Sequence, residues 1–588
     1  MKVMLLFPPH WFPAMPHLAL PTLAAYLRAH GAQVLQRDLN AETFECILTS
    51  GYLAQALERL RDDYGPQGSR RPPRRALPPR EQLLWALAEG PRLVAEVEAA
   101  VGVLRSDAFY DGPRARAAFL TVAQSLELAS LPNYPASLEL TRYTPPVAVD
   151  ASRSLLAAAA DPVQNIFLPL FRERILADIE RERPDIVGLS IASMDQLLAA
   201  ATLALLIKRA GLPCHVTTGG PHITMLREAL PHVPGFFDLF DSAVAFEGEV
   251  PLLRLADALS QGGGLAGVPN LIYRDGATVR ATPLVAPEPL ASLPPPDFDG
   301  LPLGRYLAPV PVLPLATSRG CYHGRCAFCN VGYGRPQPHR TLPAGEVVER
   351  MLALGRRYGA RHIFFADEAL APHTLREVAA LLEAEGAPLA WCGCARFDRA
   401  LSPELLAAMA RGGCRMLLFG LETASPPVMR RMAKGTDLAE MGRILRQSAA
   451  AGIWNHVFFF FGFPGETLEQ AQETVNFVYA HQGAIHSGSP GAFYLERYAP
   501  AERFPARYGI RSVVRYPERD LAIGFDYEVG QGMDAEMAEL VVSRLLDALP
   551  EKRFGQYYAH DVYRLLYASD LWERGSAFPP WLADEPEP

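Results

Sequence analysis

The sequence is poor in lysine and in long apolar runs, and each scarcity excludes a class of protein. Only four of its 56 basic residues are lysines, and 64 acidic residues give it a formal charge of −8. Such a balance offers no electrostatic footprint for nucleic acid. No apolar run approaches the roughly 20 residues that a membrane helix needs. We therefore expect neither a nucleic-acid partner nor a membrane partner.

Cysteine is also scarce, with eight residues in 588, too few for a disulfide framework. The N-terminal segment MKVMLLFPPH is interrupted by prolines and lacks a small-residue cleavage site. We interpret it as a first β-strand rather than a signal peptide, and expect a cytoplasmic protein. The length and the 49% hydrophobic content suffice for three or four domains.

Strand and helix patterns alternate on both sides of a helical stretch. A β-α-β pattern opens the chain, residues from about 50 to 170 are mostly helical, and alternation resumes at the apolar run DIVGLSI, Asp185–Ile191. A continuous apolar strand is typical of a buried parallel sheet. The pattern predicts an α/β, doubly wound domain over residues 1–265 that carries the helical segment as an insert.

Five prolines between Val285 and Asp299 indicate a linker, which we place at residues 266–311. Six strand–helix units then predict a partial (β/α)6 barrel over residues 312–505, followed by a helical C-terminal region at 506–588. The predicted barrel strands are Leu313–Thr317, His362–Phe365, Leu389–Cys394, Arg415–Phe419, His456–Phe461 and Phe493–Arg497. Sites in such folds lie at the C-terminal ends of the strands.

Three of the eight cysteines lie in one loop after the first barrel strand. The loop reads CYHGRCAFC, so Cys321, Cys326 and Cys329 are candidate metal ligands. Thiolates are soft ligands that favour zinc or iron–sulfur clusters over magnesium or calcium. A zinc site normally needs four ligands, and no second pair lies nearby. A plant-type [2Fe–2S] site shares the C-x4-C-x2-C spacing, with Cys392 or Cys394 as a distant fourth ligand.

Two further interpretations of the loop are open. The cysteines could be buried structural residues, although three in one glycine-containing loop argue against it. Alternatively, three thiolates could hold a [4Fe–4S] cluster with one iron open to a small molecule. That arrangement on a partial barrel resembles the radical S-adenosylmethionine (SAM) superfamily. The usual motif of that superfamily is C-x3-C-x2-C, so the four-residue first gap is a departure, while Phe328 supplies the aromatic residue before the last cysteine.

The resemblance implies that the open iron binds the amino and carboxylate groups of SAM, which is cleaved to a 5′-deoxyadenosyl radical. It also implies that Phe328 lies near the adenine. Residues at the ends of later strands are then candidates for the polar groups of SAM, although each could instead make structural ion pairs. These residues are Asp367, Glu368, Arg396 and Glu422.

The N-terminal region resembles the cobalamin-binding domain that precedes this core in class B radical SAM enzymes. The matching features are the proline-rich start, the strand DIVGLSI, a Gly-Gly pair and Glu-Gly-Glu; the implied cobalamin contacts are Ser190, Ser193, Gly219, Gly220 and Glu247. Small residues at strand ends let a flat macrocycle approach the backbone. No D-x-H-x-x-G motif is present, so we expect no histidine, neither His10 nor His222, on cobalt.

The resemblance implies a cobalamin-dependent radical SAM methyltransferase that acts on an unactivated carbon of a natural product or peptide and needs an external electron donor. Two alternatives stay open, a non-methylating enzyme that cyclises or rearranges its substrate and a non-enzymatic cobalamin or iron–sulfur sensor. Methylthiotransferase relatives carry a second cluster on N-terminal cysteines. That region offers only Cys46 and Cys214 here, too few for three ligands.

Overall fold

The structure, a computed structural model, describes residues 1–64, 77–335, 338–548, 560–576 and 578. The chain forms two compact units. The first unit comprises Met1–Glu288, Ser292–Pro309 and Tyr516–Ile523, and the second comprises Pro289–Ala291, Val310–Arg515 and the chain from Gly524 onward. No helix among the described residues is long and apolar enough to cross a membrane.

The first unit is built on a sheet of order β2-β1-β5-β6-β7-β8-β9. The strands of the whole unit are β1 (Lys2–Phe7), β2 (Gln33–Asp38), β3 (Ser137–Leu138), β4 (Tyr143–Thr144), β5 (Ile186–Ser190), β6 (His215–Gly219), β7 (Ser242–Val244), β8 (Leu271–Asp275) and β9 (Thr278–Ala281). The strands β3 and β4 form a separate antiparallel pair. The first five strands of the sheet run parallel, and β8 and β9 are antiparallel. Every residue of β5 is buried, as its continuous apolar run predicts.

Helices flank this sheet and form the insert. They are α1 (Ala19–Ala29), α2 (Leu39–Ile47), α3 (Ser50–Tyr64), α4 (Arg80–Leu104), α5 (Gly112–Ser130), α6 (Ser152–Ala159), α7 (Phe167–Leu170), α8 (Leu176–Glu182), α9 (Leu197–Arg209), α10 (Pro221–Leu226) and α11 (Glu249–Ser260). One π-helical turn, Phe171–Ile175, joins α7 to α8. The helices α3 to α6 confirm the predicted helical insert.

The predicted linker at 266–311 is wrong in its first part, because β8 and β9 extend the first sheet to Ala281. These strands form a hairpin closed by Gly276 and Ala277, a two-residue turn whose first residue is a glycine with φ +61°. Leu271, Ile272 and Tyr273 are buried, so the hairpin covers the edge of β7. The prolines that suggested a linker begin only after this hairpin.

The second unit contains a sheet of six parallel strands, order β10-β13-β14-β15-β16-β17. The strands of the whole unit are β10 (Val312–Leu315), β11 (Ser318–Arg319), β12 (Arg340–Thr341), β13 (His362–Phe365), β14 (Ala390–Ala395), β15 (Cys414–Glu422), β16 (Trp454–Phe461), β17 (Ser487–Ala492), β18 (Leu495–Glu496), β19 (Ile510–Val514) and β20 (Gly524–Val529). The strands β11, β12 and β18 to β20 lie outside the six-stranded sheet. Sequential parallel strands joined by helices give the predicted open barrel.

The helices of the second unit begin at residues suited to helix starts. They are α12 (Ala344–Tyr358), α13 (Pro372–Ala384), α14 (Pro403–Arg411), α15 (Pro426–Arg431), α16 (Leu438–Ala450), α17 (Leu468–Ala480), α18 (Pro500–Arg503), α19 (Ala535–Ala548) and α20 (Asp561–Glu573). The Ser402 hydroxyl caps α14, and Thr467 and Gln470 form a capping box on α17. The predicted C-terminal helix, Ala535–Leu549, matches α19.

The sixth barrel strand was predicted at Phe493–Arg497, and that prediction is wrong. The strand is β17, with the sequence SGSPGA, and Leu495–Glu496 instead pairs antiparallel with β20. Serine and glycine suit β17 because the Ser487 hydroxyl accepts from the Trp454 indole and also bonds His456. Apolar patterning could not identify a strand whose contacts are made by small polar residues. The C-terminal region also contains β19 and β20 besides its helices.

Candidate functional site

The cysteine loop leaves the barrel between β11 and β12, which pair antiparallel and close its base. Asp367, directly after β13, fixes the start of the loop. Its carboxylate accepts hydrogen bonds from the Thr317 amide (2.9 Å), the Thr317 hydroxyl (2.7 Å) and the Ser318 hydroxyl (2.6 Å). Asp367 was predicted to contact SAM, and the structure gives its two oxygens these internal partners.

A second segment, the turn Met432–Gly435 after α15, holds the middle of the cysteine loop. The Ala327 amide donates to the Met432 carbonyl at 2.8 Å. The His323 Nε2 atom donates to the Ala433 carbonyl, also at 2.8 Å. The loop that carries the three thiols is therefore held by hydrogen bonds to backbone carbonyls of this turn on both sides of Cys326.

Two cationic side chains lie beside Cys326. The Arg396 Nη1 atom is 3.7 Å from the Cys326 sulfur, and its Nη2 atom donates to the Lys434 carbonyl. Burial raises the pKa of Cys326, and the charges of Lys434 and Arg396 oppose this shift. A thiolate at this position is thus stabilised by neighbouring positive charge.

Glu422 ends β15 in a left-handed conformation (φ +61°) and forms a buried ion pair with Lys434, Oε1 to Nζ 2.8 Å. The pair lies over Gly420, where an added Cβ would come within 2.4 Å of the carboxylate and 2.6 Å of the ammonium. Lys434 also lies 5.8 Å from the centre of the Phe328 ring, which packs edge-on against Phe460. The structure therefore brings Phe328, Arg396 and Glu422 to one place, with Lys434 as the link between them.

The three thiols are free and partly buried. Burial raises the pKa of Cys329 to about 12, with a further contribution from Cys326, Glu368 and Cys321. The charges of Cys326, Glu368 and Cys321 thus act on the Cys329 thiol. In the described part of the chain, no three histidine, cysteine or carboxylate side chains lie close enough to hold a single metal ion.

Glu368 follows Asp367 after β13, and a second acidic residue, Glu496, interacts with it electrostatically. The surrounding protein, together with Asp367, raises the pKa of Glu368. Burial raises the pKa of Glu496, in β18, to about 7, and the Glu368 charge adds to this shift. Tyr333 lies in the same field, because both carboxylates raise its pKa beyond the effect of burial. Sequence patterns alone did not single out Glu496 or Tyr333.

The Gly462–Thr467 segment after β16 forms a tight turn around Glu466. The Glu466 carboxylate is fully buried and accepts from the amides of Gly462 (2.7 Å) and Phe463 (3.2 Å), while its other oxygen has no hydrogen-bond partner. Burial raises the pKa of Glu466 to about 7, compared with 4.5 for an ordinary glutamate. The segment thus has a structural role.

Glu466→Gln is expected to stabilise the protein at pH 8 and to have little effect at pH 4. The folded chain keeps a proton on Glu466 that the unfolded chain releases above about pH 4.5, so the free energy of unfolding falls as the pH rises towards 7. Glutamine keeps the acceptor and removes the charge. Urea unfolding at both pH values should show a gain of about 2–3 kcal/mol at pH 8 only. The exposed Glu469→Gln is the control; an equal effect of Glu466→Gln at both pH values would contradict this explanation.

In the first unit, the predicted residues also lie at the C-terminal ends of parallel strands. Ser190 ends β5, and the Ser193 hydroxyl caps the following turn in a capping box with Gln196. The buried Gln196 side chain also donates to the Pro8 carbonyl at 2.6 Å, so it ties the loop after β5 to the loop after β1. The S-x-x-Q spacing is a sequence signal for this cap that the prediction did not use.

Gly219 ends β6, and Gly220 follows with φ +105°. An added Cβ at Gly220 would lie 2.5 Å from the Ile191 carbonyl oxygen. His222, two residues further, is fully buried, and neither ring nitrogen has a hydrogen-bond partner. Burial lowers the pKa of His222 to about 4, so the imidazole is neutral. Glu247 lies in the loop that follows β7, at the same edge of the sheet.

Comparison with protein families matches both units. The B12-binding domain model matches residues 137–256, and the radical SAM superfamily model matches residues 315–478. The chain is a radical SAM protein with a cobalamin-binding domain. This family uses a [4Fe–4S] cluster, SAM and cobalamin, as the resemblance in the sequence implied.

Individual relatives agree with this assignment. An uncharacterised methyltransferase of Pyrococcus horikoshii is 31% identical over 307 residues, which cover 51% of this chain and 65% of that protein. The cobalamin-dependent SAM radical enzyme OxsB, solved with aqua-cobalamin and SAM bound, superposes with a TM-score of 0.53 at 18% identity and covers 72% of this chain and 69% of that one.

The radical SAM methyltransferase TsrM of Kitasatospora setae, solved with cobalamin and a [4Fe–4S] cluster, gives a TM-score of 0.51 at 17% identity. The match covers 85% of this chain and 73% of that one. At such low identity, the likeness to OxsB and TsrM shows a shared fold.

The residues of this radical SAM protein fit the cofactors of the family. Three soft thiol donors in one loop, with Arg396 and Lys434 beside Cys326, suit an anionic iron–sulfur cluster. The glycine pair after β6 offers a surface without side chains, and the unpartnered imidazole of His222 is a buried polar group that can accept a ligand hydrogen bond. Each unit therefore supplies a donor set suited to its cofactor.

Proposed function

We propose that the protein is a cobalamin-dependent radical SAM methyltransferase that methylates an unactivated carbon of a natural product or peptide. The observation that carries this proposal is the joint presence of a cysteine loop at the C-terminal edge of a parallel barrel and a glycine cradle at the C-terminal edge of a separate parallel sheet. The two matched family models support the same pairing. A sensor would need only one of these sites.

The residues of the second unit would bind the cluster and SAM. Cys321, Cys326 and Cys329 would be the cluster ligands, and Phe328 would line the adenine pocket. Glu368, Arg396 and Glu422 would contact polar groups of SAM, while Asp367 would act indirectly, by holding the loop through Thr317 and Ser318. When bound, the cluster supplies the electron that cleaves SAM, and cobalamin carries the methyl group.

The residues of the first unit would bind cobalamin. Gly219 and Gly220 would let the macrocycle approach the backbone, and Ser190 and Glu247 would contact its polar edge. Ser193 would act by shaping the loop after β5, since its hydroxyl caps the turn. The proposal places no histidine on cobalt.

The relatives support methyl transfer and a small organic substrate. The relative from Pyrococcus horikoshii is described as a methyltransferase, and TsrM has been solved with tryptophan as its substrate and a SAM analogue bound. We infer a substrate of similar size, from a natural product or a peptide. Glu496 and Tyr333, which lie near Glu368, would then be on the substrate side of the SAM site.

Mass spectrometry of SAM products tests the proposal. Anaerobically reconstituted protein is incubated with SAM and a reductant, with and without cobalamin. We expect 5′-deoxyadenosine in both samples and S-adenosylhomocysteine only with cobalamin, because demethylation of SAM needs a methyl acceptor. If 5′-deoxyadenosine forms with cobalamin and a range of candidate substrates present but S-adenosylhomocysteine never does, the enzyme is a non-methylating one. If neither product forms in cluster-loaded protein, the proposal is wrong.

A further inference from the structure

A cavity in the first unit is lined by residues other than those of the proposed cobalamin site. Its volume is about 800 Å³, within the range of small-molecule sites. It is enclosed by α2, α3 and the helix that runs from α7 through the π-turn to α8, with Arg37 and Arg305 at its border. No part of the proposed methyl-transfer chemistry uses this cavity.

One wall of the cavity is formed by the π-turn. Phe171 and Ile175, from this turn, and Leu170 and Ala56 give the cavity an apolar surface. π-helical turns are rare, and they frequently occur at functional sites. The widened turn here presents both of these apolar side chains, together with Glu173 and Arg174, to a single cavity.

Some charged groups of the cavity are already paired. Arg37 bonds Glu42 at 2.5 Å and Asp178 at 2.7 Å, and Arg305 bonds Glu45 at 3.1 Å. Arg37 thus faces two carboxylates, and Arg305 and Glu45 neutralise each other. The polar groups of the cavity that have no such ion-pair partner then determine which ligand fits.

Three polar groups of the cavity lack such partners among the residues that the structure describes. Arg59 and Arg174 have no carboxylate within ion-pair distance, and the Tyr52 hydroxyl has no hydrogen-bond partner although the surrounding protein raises its pKa. Glu173 is the single unpaired acid. Two guanidinium groups without a carboxylate partner, Arg59 and Arg174, therefore lie beside the apolar wall.

We propose that this cavity binds a small organic anion, with its apolar body against Phe171, Ile175 and Leu170 and its anionic group on Arg59 and Arg174. The Tyr52 hydroxyl donates a third hydrogen bond. Guanidinium groups bind phosphate and carboxylate oxygens in charge-assisted, often bidentate pairs. The site is separate from the proposed methyl-transfer site, so it does not depend on that function.

Cys46 provides a direct readout of occupancy, because its half-buried thiol lines the same cavity. Burial raises the pKa of Cys46, and Arg174, Glu173 and Glu45 all act on the thiol, which places it among these side chains. The full-length protein is alkylated with N-ethylmaleimide, and the rate at Cys46 is followed by peptide mass spectrometry. The probe is phenyl phosphate; phenol and inorganic phosphate are its apolar and anionic halves.

Phenyl phosphate is expected to slow alkylation of Cys46 in a saturable manner, and each half alone is expected to protect far less. Arg59→Gln and Arg174→Gln should each raise the half-protecting concentration about tenfold, the loss of one charge-assisted bond. The matched control is Arg172→Gln, which removes an exposed arginine of the same π-turn that does not line the cavity. Cys214, a half-buried thiol elsewhere in the unit, is the internal reference.

Three results would overturn the proposal. The first is no protection of Cys46 by phenyl phosphate at millimolar concentration. The second is equal protection by inorganic phosphate, which would leave the apolar wall without a role. The third is equal protection in wild type, Arg59→Gln and Arg174→Gln, since the anion would then bind elsewhere.

Discussion

Replacing Cys321, Cys326 or Cys329 with alanine is expected to remove the iron–sulfur cluster and all cleavage of SAM. Each cysteine would hold one iron, and an alanine leaves that iron without a protein ligand in a loop that offers no spare thiol. The nearest other cysteines, Cys392 and Cys394, lie within β14, where register with β13 and β15 fixes their positions. The iron content should fall from about four atoms per chain to nearly none, because a cluster held by three cysteines has no redundant ligand.

The measurements are iron and sulfide content after anaerobic reconstitution, and 5′-deoxyadenosine formation. Cys214→Ala is the matched control, since Cys214 lies in the first unit and outside the loop. The three variants should still bind cobalamin, whose proposed site lies in the first unit. Full iron content together with SAM cleavage in any one of them would refute the ligand assignment.

The cysteine loop could be predicted from the sequence because its determinants are local. Three thiols within nine residues define a donor set without knowledge of the fold, and a strand directly before them places it at a sheet edge. The family resemblance implies Asp367, Glu368, Arg396 and Glu422 as candidates, and each follows or ends a predicted strand. In parallel sheets all such positions share one edge.

Lys434 could not be predicted in this way. It follows α15 rather than a strand, and its partners, Glu422 and the Phe328 ring, are distant in sequence. Only the folded chain shows that the turn Met432–Gly435 bonds the cysteine loop. Its identity as one of four lysines among 56 basic residues was the single available hint.

Two fold errors have a common cause, reliance on apolar runs. The strand β17 lacks such a run because serines and glycines make its contacts, and it was missed in favour of the more apolar segment that follows. The hairpin of β8 and β9 directly precedes the prolines that indicate a linker, and its signal is a turn residue, Gly276, rather than an apolar run. Turn chemistry carried information that apolar patterning did not.

Gly220→Ala is expected to abolish cobalamin binding. The backbone at Gly220 has φ +105° and ψ 178°, a region essentially restricted to glycine, which costs other residues about 1–3 kcal/mol. The new Cβ would also lie 2.5 Å from the Ile191 carbonyl oxygen. Because Ile191 directly follows β5, relief of this contact must displace the loop that carries Ser190 and Ser193 from the glycine pair.

The dissociation constant for hydroxocobalamin should rise at least about 100-fold, equivalent to about 2.8 kcal/mol. Gly211→Ala is the control, because Gly211 also has a positive φ, +64°, but an added Cβ there meets nothing within 4 Å. It should lower stability by about 1 kcal/mol and leave cobalamin affinity unchanged.

Comparison with the cysteine variants makes the test specific to one site. Gly220→Ala should retain its iron, whereas the cysteine variants should retain cobalamin, since the altered residues lie in different units. Wild-type affinity for hydroxocobalamin in Gly220→Ala would show that the macrocycle does not use the edge formed by β5 and β6. Loss of both cofactors in that variant would instead indicate unfolding, which circular dichroism of Gly220→Ala would reveal.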